Sequence, residues 1–278
     1  MAFDSVAPPL PVGVFILLRD LIRDRIGVSF DDDKLDLLAG KLSDRLRALG
    51  SSSFLDYYYL LKYGPGSDEE WPRLTDTLSV QETYFWRELD QIRALVDVLI
   101  PEHVAAGRGP VRVWSAACAT GEEPLSIAIA LAEGGWFEQA DVEVWASDIS
   151  PAALEKARAG VYRERSFRAL PAALRDKYFT QVAGGWAVAR DLHSRVRFVH
   201  ANLLAPSDTS ALAAARFVFC RNVFIYFSAA TVAQVVRQFA ERMPTPGFLF
   251  PGVSESLLRM TTAFQLEEVG KAFVYVKR

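Results

Sequence analysis

The chain is poor in the residues that most often carry disulfide, redox or metal chemistry. Its 278 residues include two cysteines and three histidines. Cys118 and Cys220 both stand in apolar strand-to-loop positions and read as buried, reduced thiols, which fits a cytoplasmic protein. His103, His193 and His200 fall into no motif, so no metal site is expected and all three read as structural or surface residues. An excess of one charge is also lacking. Against 31 Lys and Arg stand 34 Asp and Glu, a net charge of −3, which gives no basic surface for nucleic acid. Long apolar runs are missing too. Val12 to Leu18 is too short to span a bilayer and is followed at once by Arg19 and Asp20, so neither membrane insertion nor a signal peptide is expected. Two nucleotide signatures, G-x-x-x-x-G-K-[ST] and a full G-x-G-x-x-G, occur nowhere.

What the chain does hold is a core. Half of it is hydrophobic (51%), and its length suits one large domain or two modest ones. The most informative stretch runs from Val111 to Leu131, VRVWSAACATGEEPLSIAIAL. Alternating apolar residues lead into a run of very small ones, then Thr120-Gly121, then Glu122-Glu123-Pro124 and an apolar helical pattern. Strand, small-residue loop and helix start make the first unit of a nucleotide-binding α/β domain. Glu122 and Glu123 at the helix start would repel a pyrophosphate, so the loop suits a ligand bearing positive charge and ribose hydroxyls. S-adenosylmethionine has both; NAD and ATP are disfavoured.

Ahead of this unit the pattern is helical throughout. The arm to about Pro11 is proline-rich and expected to be loose. Apolar residues at helical spacing predict a helix over 14–26 ended by Gly27, and a second one through Leu35 to Leu46 closed by Gly50. Asp31-Asp32-Asp33 is read as capping that second helix. Lys41, Arg45 and Arg47 on its outer face are either a solvated basic face or a docking surface for an acidic partner. A third helix follows Ser51-Ser52-Ser53 and breaks at Gly64-Pro65-Gly66; a fourth is predicted over 69–78. Next comes QETYFWRE, whose Tyr84, Phe85 and Trp86 precede Arg87 at the expected domain junction, a favoured place for ligand sites.

After residue 111 strands and helices alternate. A strand over 142–146 ends in Ser147-Asp148, and Ser150-Pro151 starts a helix that Gly160 ends. Asp148 stands where this architecture holds a ribose diol, although an aspartate there also serves as a helix cap. Residues 176–198 read as an antiparallel hairpin with a glycine turn, inserted into the doubly wound sheet. A strand at 196–199 runs into Asn202-Leu203. The segment FVFCRNVFIYF (217–227) reads as a buried strand holding Arg221-Asn222 at its carboxyl end, costly unless they serve a ligand. A helix over 229–242 and three further short strands, the last two forming a hairpin, complete the chain.

These residues together resemble the CheR family, chemotaxis receptor methyltransferases that transfer a methyl group from S-adenosylmethionine to glutamate side chains. The resemblance rests on QETYFWRE (81–88), WSAACATGEEP (114–124) with ASDIS (146–150), and NLL (202–204) with CRNVFIYF (220–227). It implies an all-α N-terminal domain over 1–80 and, over 81–278, a Rossmann-like S-adenosylmethionine-dependent methyltransferase domain with a small antiparallel β insertion. It implies that Thr83 and Arg87 line the cofactor and active site between the domains, and that Glu123, Asp148, Asn202, Leu203, Arg221 and Asn222 hold the cofactor. Tyr226 matches an active-site tyrosine, and Arg87 is expected to orient the incoming carboxylate. Gln81, also counted among the cofactor-binding residues, stands where family members commonly carry Asn. The hairpin looks short beside those that grip a receptor's C-terminal pentapeptide, so such a tether is not expected.

The implied partner is the cytoplasmic helical region of methyl-accepting chemoreceptors, with the enzyme acting as a monomer. The N-P-P-[YF] signature of amino-methylating enzymes is absent. A non-catalytic regulator that binds S-adenosylmethionine or S-adenosylhomocysteine is the alternative reading.

Overall fold

The computed structural model describes residues 9–278, and residues 1–8 of the expected loose arm lie outside the described residues. The contacts divide the chain into two compact units: residues up to Val80 with Tyr226–Ser228, and Gln81–Ile225 with Ala229–Arg278.

The smaller unit is built from α1 (Val12–Ile26), α2 (Leu35–Ala48), α3 (Phe54–Tyr63) and α4 (Ser67–Leu78). Each follows from a local signal. The i, i+3, i+4 stripe of α1 buries Phe15, Leu18, Ile22 and Ile26, and Gly27 ends the helix in a left-handed conformation (φ 86°). Ser53 caps α3, its Oγ accepting the Asp56 N–H at 3.1 Å.

Two expectations are corrected here. The acidic run before α2 supplies no side-chain cap; it forms a 3₁₀ turn, Asp32–Lys34, in which Asp32 meets Arg19 at 2.5 Å and Asp33 meets Lys34 at 2.9 Å. Nearby cations outcompete the helix N–H groups for these carboxylates. Nor do the three α2 cations form one basic face. Arg45 turns inward onto Glu70, Nε to Oε1 at 2.8 Å and Nη2 to Oε2 at 2.6 Å, and the Tyr57 hydroxyl donates to the same carboxylate at 2.7 Å. Arg47 stays exposed and pairs with Asp44.

In the larger unit the strands are β1 (Val111–Ala116), β2 (Val142–Asp148), β3 (Val161–Tyr162), β4 (Phe179–Val182) and β5 (Gly185–Val188). They continue as β6 (Val196–His200), β7 (Phe217–Cys220), β8 (Gly247–Pro251), β9 (Gln265–Val269) and β10 (Ala272–Lys277). Seven form one sheet in the order β6-β2-β1-β7-β8-β10-β9. The first five run parallel, while β10 pairs antiparallel with both β8 and β9. The parallel strands β7 and β8 are buried at every position, which is why FVFC and GFLFP read as unbroken apolar runs. Phe219 and Phe250, opposite each other in register, stack with ring centroids 4.2 Å apart.

The strand order reverses at β1, so the crevice beyond the carboxyl ends of β1, β2 and β7 is the binding position of this architecture. The insertion has the expected hairpin, β4 with β5, and a third strand, β3, at only two residues too short to show an alternating pattern. Gly185 is required there: a Cβ on it would lie 2.3 Å from the Tyr162 carbonyl oxygen. The strand in the 217–227 segment ends at Cys220, immediately before Arg221-Asn222; Asn222 adopts a left-handed conformation (φ 58°) and Phe224–Tyr226 forms a 3₁₀ turn.

Candidate functional site at the sheet's switch point

Beyond β1 the chain turns back on itself with positive φ at Ala117 (58°), Ala119 (48°) and Gly121 (95°). A bulky or β-branched side chain is strongly disfavoured in that region, which accounts for the small-residue run. The loop is pinned to the end of β2. The Cys118 N–H donates to the Ser147 carbonyl at 2.9 Å and the Ala119 N–H to Asp148 Oδ2 at 2.8 Å. Gly121 answers to packing rather than to a ligand: an added Cβ would lie 3.0 Å from Ala157 Cβ and from the Tyr162 hydroxyl.

Asp148 is buried, and its Oδ1 accepts the Ser150 N–H at 2.8 Å. Burial pushes its carboxyl above the usual range, with backbone N–H donors opposing that shift. Each carboxylate oxygen has two lone pairs, so Asp148 retains acceptor capacity after these bonds. Ser150 caps the helix Pro151–Ala159, accepting the Ala153 N–H at 3.0 Å. The helix cap is therefore Ser150 and not Asp148. Gln81 reaches the same place, Nε2 to Ser150 Oγ at 3.2 Å, and its Oε1 accepts from Lys156 at 3.0 Å. Gln81, Thr83, Thr120 and Lys156 line a polar cavity of about 360 Å³. Asn202 and Leu203 follow β6, whose extension bonds to Asp148 through the Ala201 N–H at 3.1 Å.

The glutamate pair divides. Glu122 turns into the protein, accepting from Thr120 Oγ1 at 2.6 Å and Ser166 Oγ at 2.9 Å, and burial raises its pKa. Glu123 faces Arg221. Its Oε2 accepts from Arg221 Nε at 2.6 Å and its Oε1 from Ser115 Oγ at 2.7 Å. Arg221 is 6% exposed and gathers the site. Nη2 donates to the Arg87 carbonyl at 3.0 Å, and Nη1 to the Glu88 carbonyl at 3.4 Å and to Gln91 Oε1 at 3.3 Å. Asn222 reaches Glu88 through Nδ2 at 3.5 Å and Glu255 through its N–H at 2.8 Å.

The aromatics of QETYFWRE do not act together. Phe85 is fully buried against Tyr162, Phe167 and Phe179 in the core of the larger unit. Arg87 is half-buried; its Nη1 donates to the Glu82 carbonyl at 2.8 Å and its remaining guanidinium donors meet no acceptor among the described residues. Two residues of this segment, Trp86 (φ 68°) and Glu88 (φ 51°), hold left-handed backbone.

Thus Arg87 (through its carbonyl), Glu123, Arg221 and Asn222 form one contact chain; Gln81, Asp148 and the β1 loop form another beside it. Tyr226 belongs by its contacts to the smaller unit, where its carbonyl accepts the Ser29 N–H at 2.8 Å. Sequence reasoning missed Glu88, Gln91, Gly252 and Glu255. Glu88 sits inside the QETYFWRE motif and Gln91 one helical turn beyond it, so both carried a signal. Glu255, in an unpatterned loop, carried none.

Residues 81–273 match the family described as CheR methyltransferase, SAM binding domain, and residues 14–79 match CheR methyltransferase, all-alpha domain. The chain belongs to the CheR methyltransferase family. Chemotaxis protein methyltransferase 2 of Vibrio cholerae serotype O1 is 34% identical over 267 residues, 95% of this chain and 92% of the relative. Chemotaxis protein methyltransferase of Escherichia coli K12 is 36% identical over 256 residues, 91% of this chain and 87% of that one.

The cofactor of this CheR protein is S-adenosylmethionine, and the donor set fits it. Two carboxylates flank Arg221, Glu123 at 2.6 Å and Glu88 at 3.7 Å, a donor set that suits a ligand carrying positive charge. Asp148 offers acceptors to a diol. No basic side chain occupies the first turn of the helix Glu122–Glu133, as a pyrophosphate would require.

Proposed function

We propose that this CheR methyltransferase forms methyl esters on glutamate side chains of chemoreceptors. Bound S-adenosylmethionine supplies an electrophilic methyl group on a sulfonium. The residues that would hold it are Asp148 toward the ribose, Glu123 and Arg221-Asn222 toward the methionine end, and Asn202-Leu203 toward the adenine, with Gln81 and Thr83 beside the β1 loop. The acceptor carboxylate is ionised at neutral pH and needs no general base. What the protein must add is alignment and the exclusion of water from two opposite charges that neutralise each other. That requirement suits a site without a histidine base, and none of the three histidines belongs to the Arg221 cluster. Arg87 would orient the acceptor: its carbonyl is fixed by Arg221 while most of its guanidinium donors stay uncommitted.

The observation that carries this reading is the Arg221–Glu123 pair, which joins the Arg87–Glu88 segment to the acidic helix start at the switch point. Methyl transfer from radiolabelled S-adenosylmethionine to receptor-enriched membranes tests it. Label released as methanol by mild base is the expected result; no transfer, or base-stable label, overturns the reading.

A further inference from the structure

Glu255 is a buried carboxylate, 7% exposed, in the loop that follows β8. It is used by no other side chain of the cluster. Instead it accepts backbone N–H groups: Gly252 at 2.7 Å and Asn222 at 2.8 Å on Oε2, Ile225 at 3.1 Å on Oε1, and Phe224 as well. Gly252 lies in the loop after β8, and the other donors lie in the turn after β7. The carboxylate therefore ties two sheet-edge loops together at the residue whose backbone is left-handed. Gly252 completes the arrangement. A Cβ there would fall 2.7 Å from Asn222 Nδ2 and 2.8 Å from Glu255 Oε2, so the turn and the loop are in contact at the closest approach the atoms allow.

We infer that Glu255 is a positioning residue for methyl-donor binding, holding the Arg221–Asn222 turn in its strained conformation so that both side chains face the site. This rests on the reading above that Arg221-Asn222 borders the cofactor. The charge is needed as well as the shape. A carboxylate presents acceptors on both oxygens, whereas a carboxamide turns an N–H₂ toward one set of these donors and leaves it unpaired in a buried place. The strained Asn222 backbone then has less to hold it, and relaxation of the turn carries Arg221 away from Glu123.

Binding of S-adenosylhomocysteine to the purified full chain by calorimetry is the test, together with separate KM values for S-adenosylmethionine and receptor. Glu255→Gln and Gly252→Ala, which disturb the same turn from opposite sides, are both expected to weaken S-adenosylhomocysteine binding by about tenfold or more, the loss of one or two charge-assisted bonds. Receptor KM should stay unchanged, and Glu267→Gln, at a surface pair with Arg278, should behave as wild type. Folded variants that bind S-adenosylhomocysteine within about twofold of wild type overturn the inference. If Glu255→Gln fails to fold, Gly252→Ala and Glu255→Asp decide by the same measure. Wild-type protein that binds S-adenosylhomocysteine yet methylates no receptor would refute the proposed activity while leaving this inference to its own binding measurements.

Discussion

Arg87 and Arg221 show how neighbouring arginines of one site come to do different things. Arg221 is buried and spends its donors on Glu123, Gln91 and two backbone carbonyls, so its charge is compensated within the protein. Arg87 is half-buried with one guanidinium hydrogen bond, and its charge is available to a ligand. Arg87→Ala is therefore expected to reduce turnover by roughly 10- to 150-fold, the equivalent of about 1.5–3 kcal/mol for a hydrogen bond to a charged group. S-adenosylhomocysteine affinity should change little. Steady-state kinetics with calorimetry checks the split, and turnover equal to wild type removes Arg87 from the proposed role.

His103 carries a prediction of a different kind. It is buried, its Nε2 lies 3.0 Å from the Gly109 carbonyl, and its Nδ1 has no partner. Burial pushes its pKa below the ordinary value, because the second proton would sit unpaired in the interior. The unfolded chain thus binds more protons than the folded one just below about pH 6.5, and stability from this group is lost as pH falls through that value. His103→Gln keeps a donor for Gly109 and removes the titration. Thermal melts between pH 7.5 and about pH 5 should show a shallower decline in the variant than in the wild type; identical slopes would show that His103 does not titrate on unfolding.

At the scale of elements, α2 shows the limit of reading a helix face by spacing. Lys41, Arg45 and Arg47 look alike along the sequence, yet Arg45 is drawn inward by Glu70, which is 1% exposed and also bound by Tyr57. Removing one partner of such a pair strands a buried charge. Arg45→Met is expected to destabilise the protein by about 3–5 kcal/mol, whereas Arg47→Ala should stay within about 0.5 kcal/mol. Denaturant midpoints of the two variants measure the difference, and equal midpoints would return Arg45 to the solvated face. The same lesson holds beyond β1. Small residues in the loop were readable from composition, but the left-handed backbone at Ala117 and Ala119 appears only when the loop is tied to Ser147 and Asp148. The end of β7 beside Arg221-Asn222 was readable too, but not the bond that ties the Asn222 turn to Glu255, 33 residues away in sequence.

For the molecule as a whole, no helix among the described residues is long and apolar enough to cross a membrane. Local physics determined a great deal unaided. Helical stripes, Gly27 and Gly160 as stops, Ser53 and Ser150 as caps and the alternation of strands with helices are consequences of short-range geometry, so the order of elements and the class of cofactor could be read from the chain. Tertiary structure alone decided that Glu123 pairs with Arg221 while Glu122 turns into the protein, which α2 arginine is buried, and that Glu255 bonds the Asn222 turn. Those outcomes depend on partners such as Arg221 and Glu123, 98 residues apart. A charged side chain takes whichever counter-charge and desolvation the completed fold presents to it, and spacing along the chain does not carry that information.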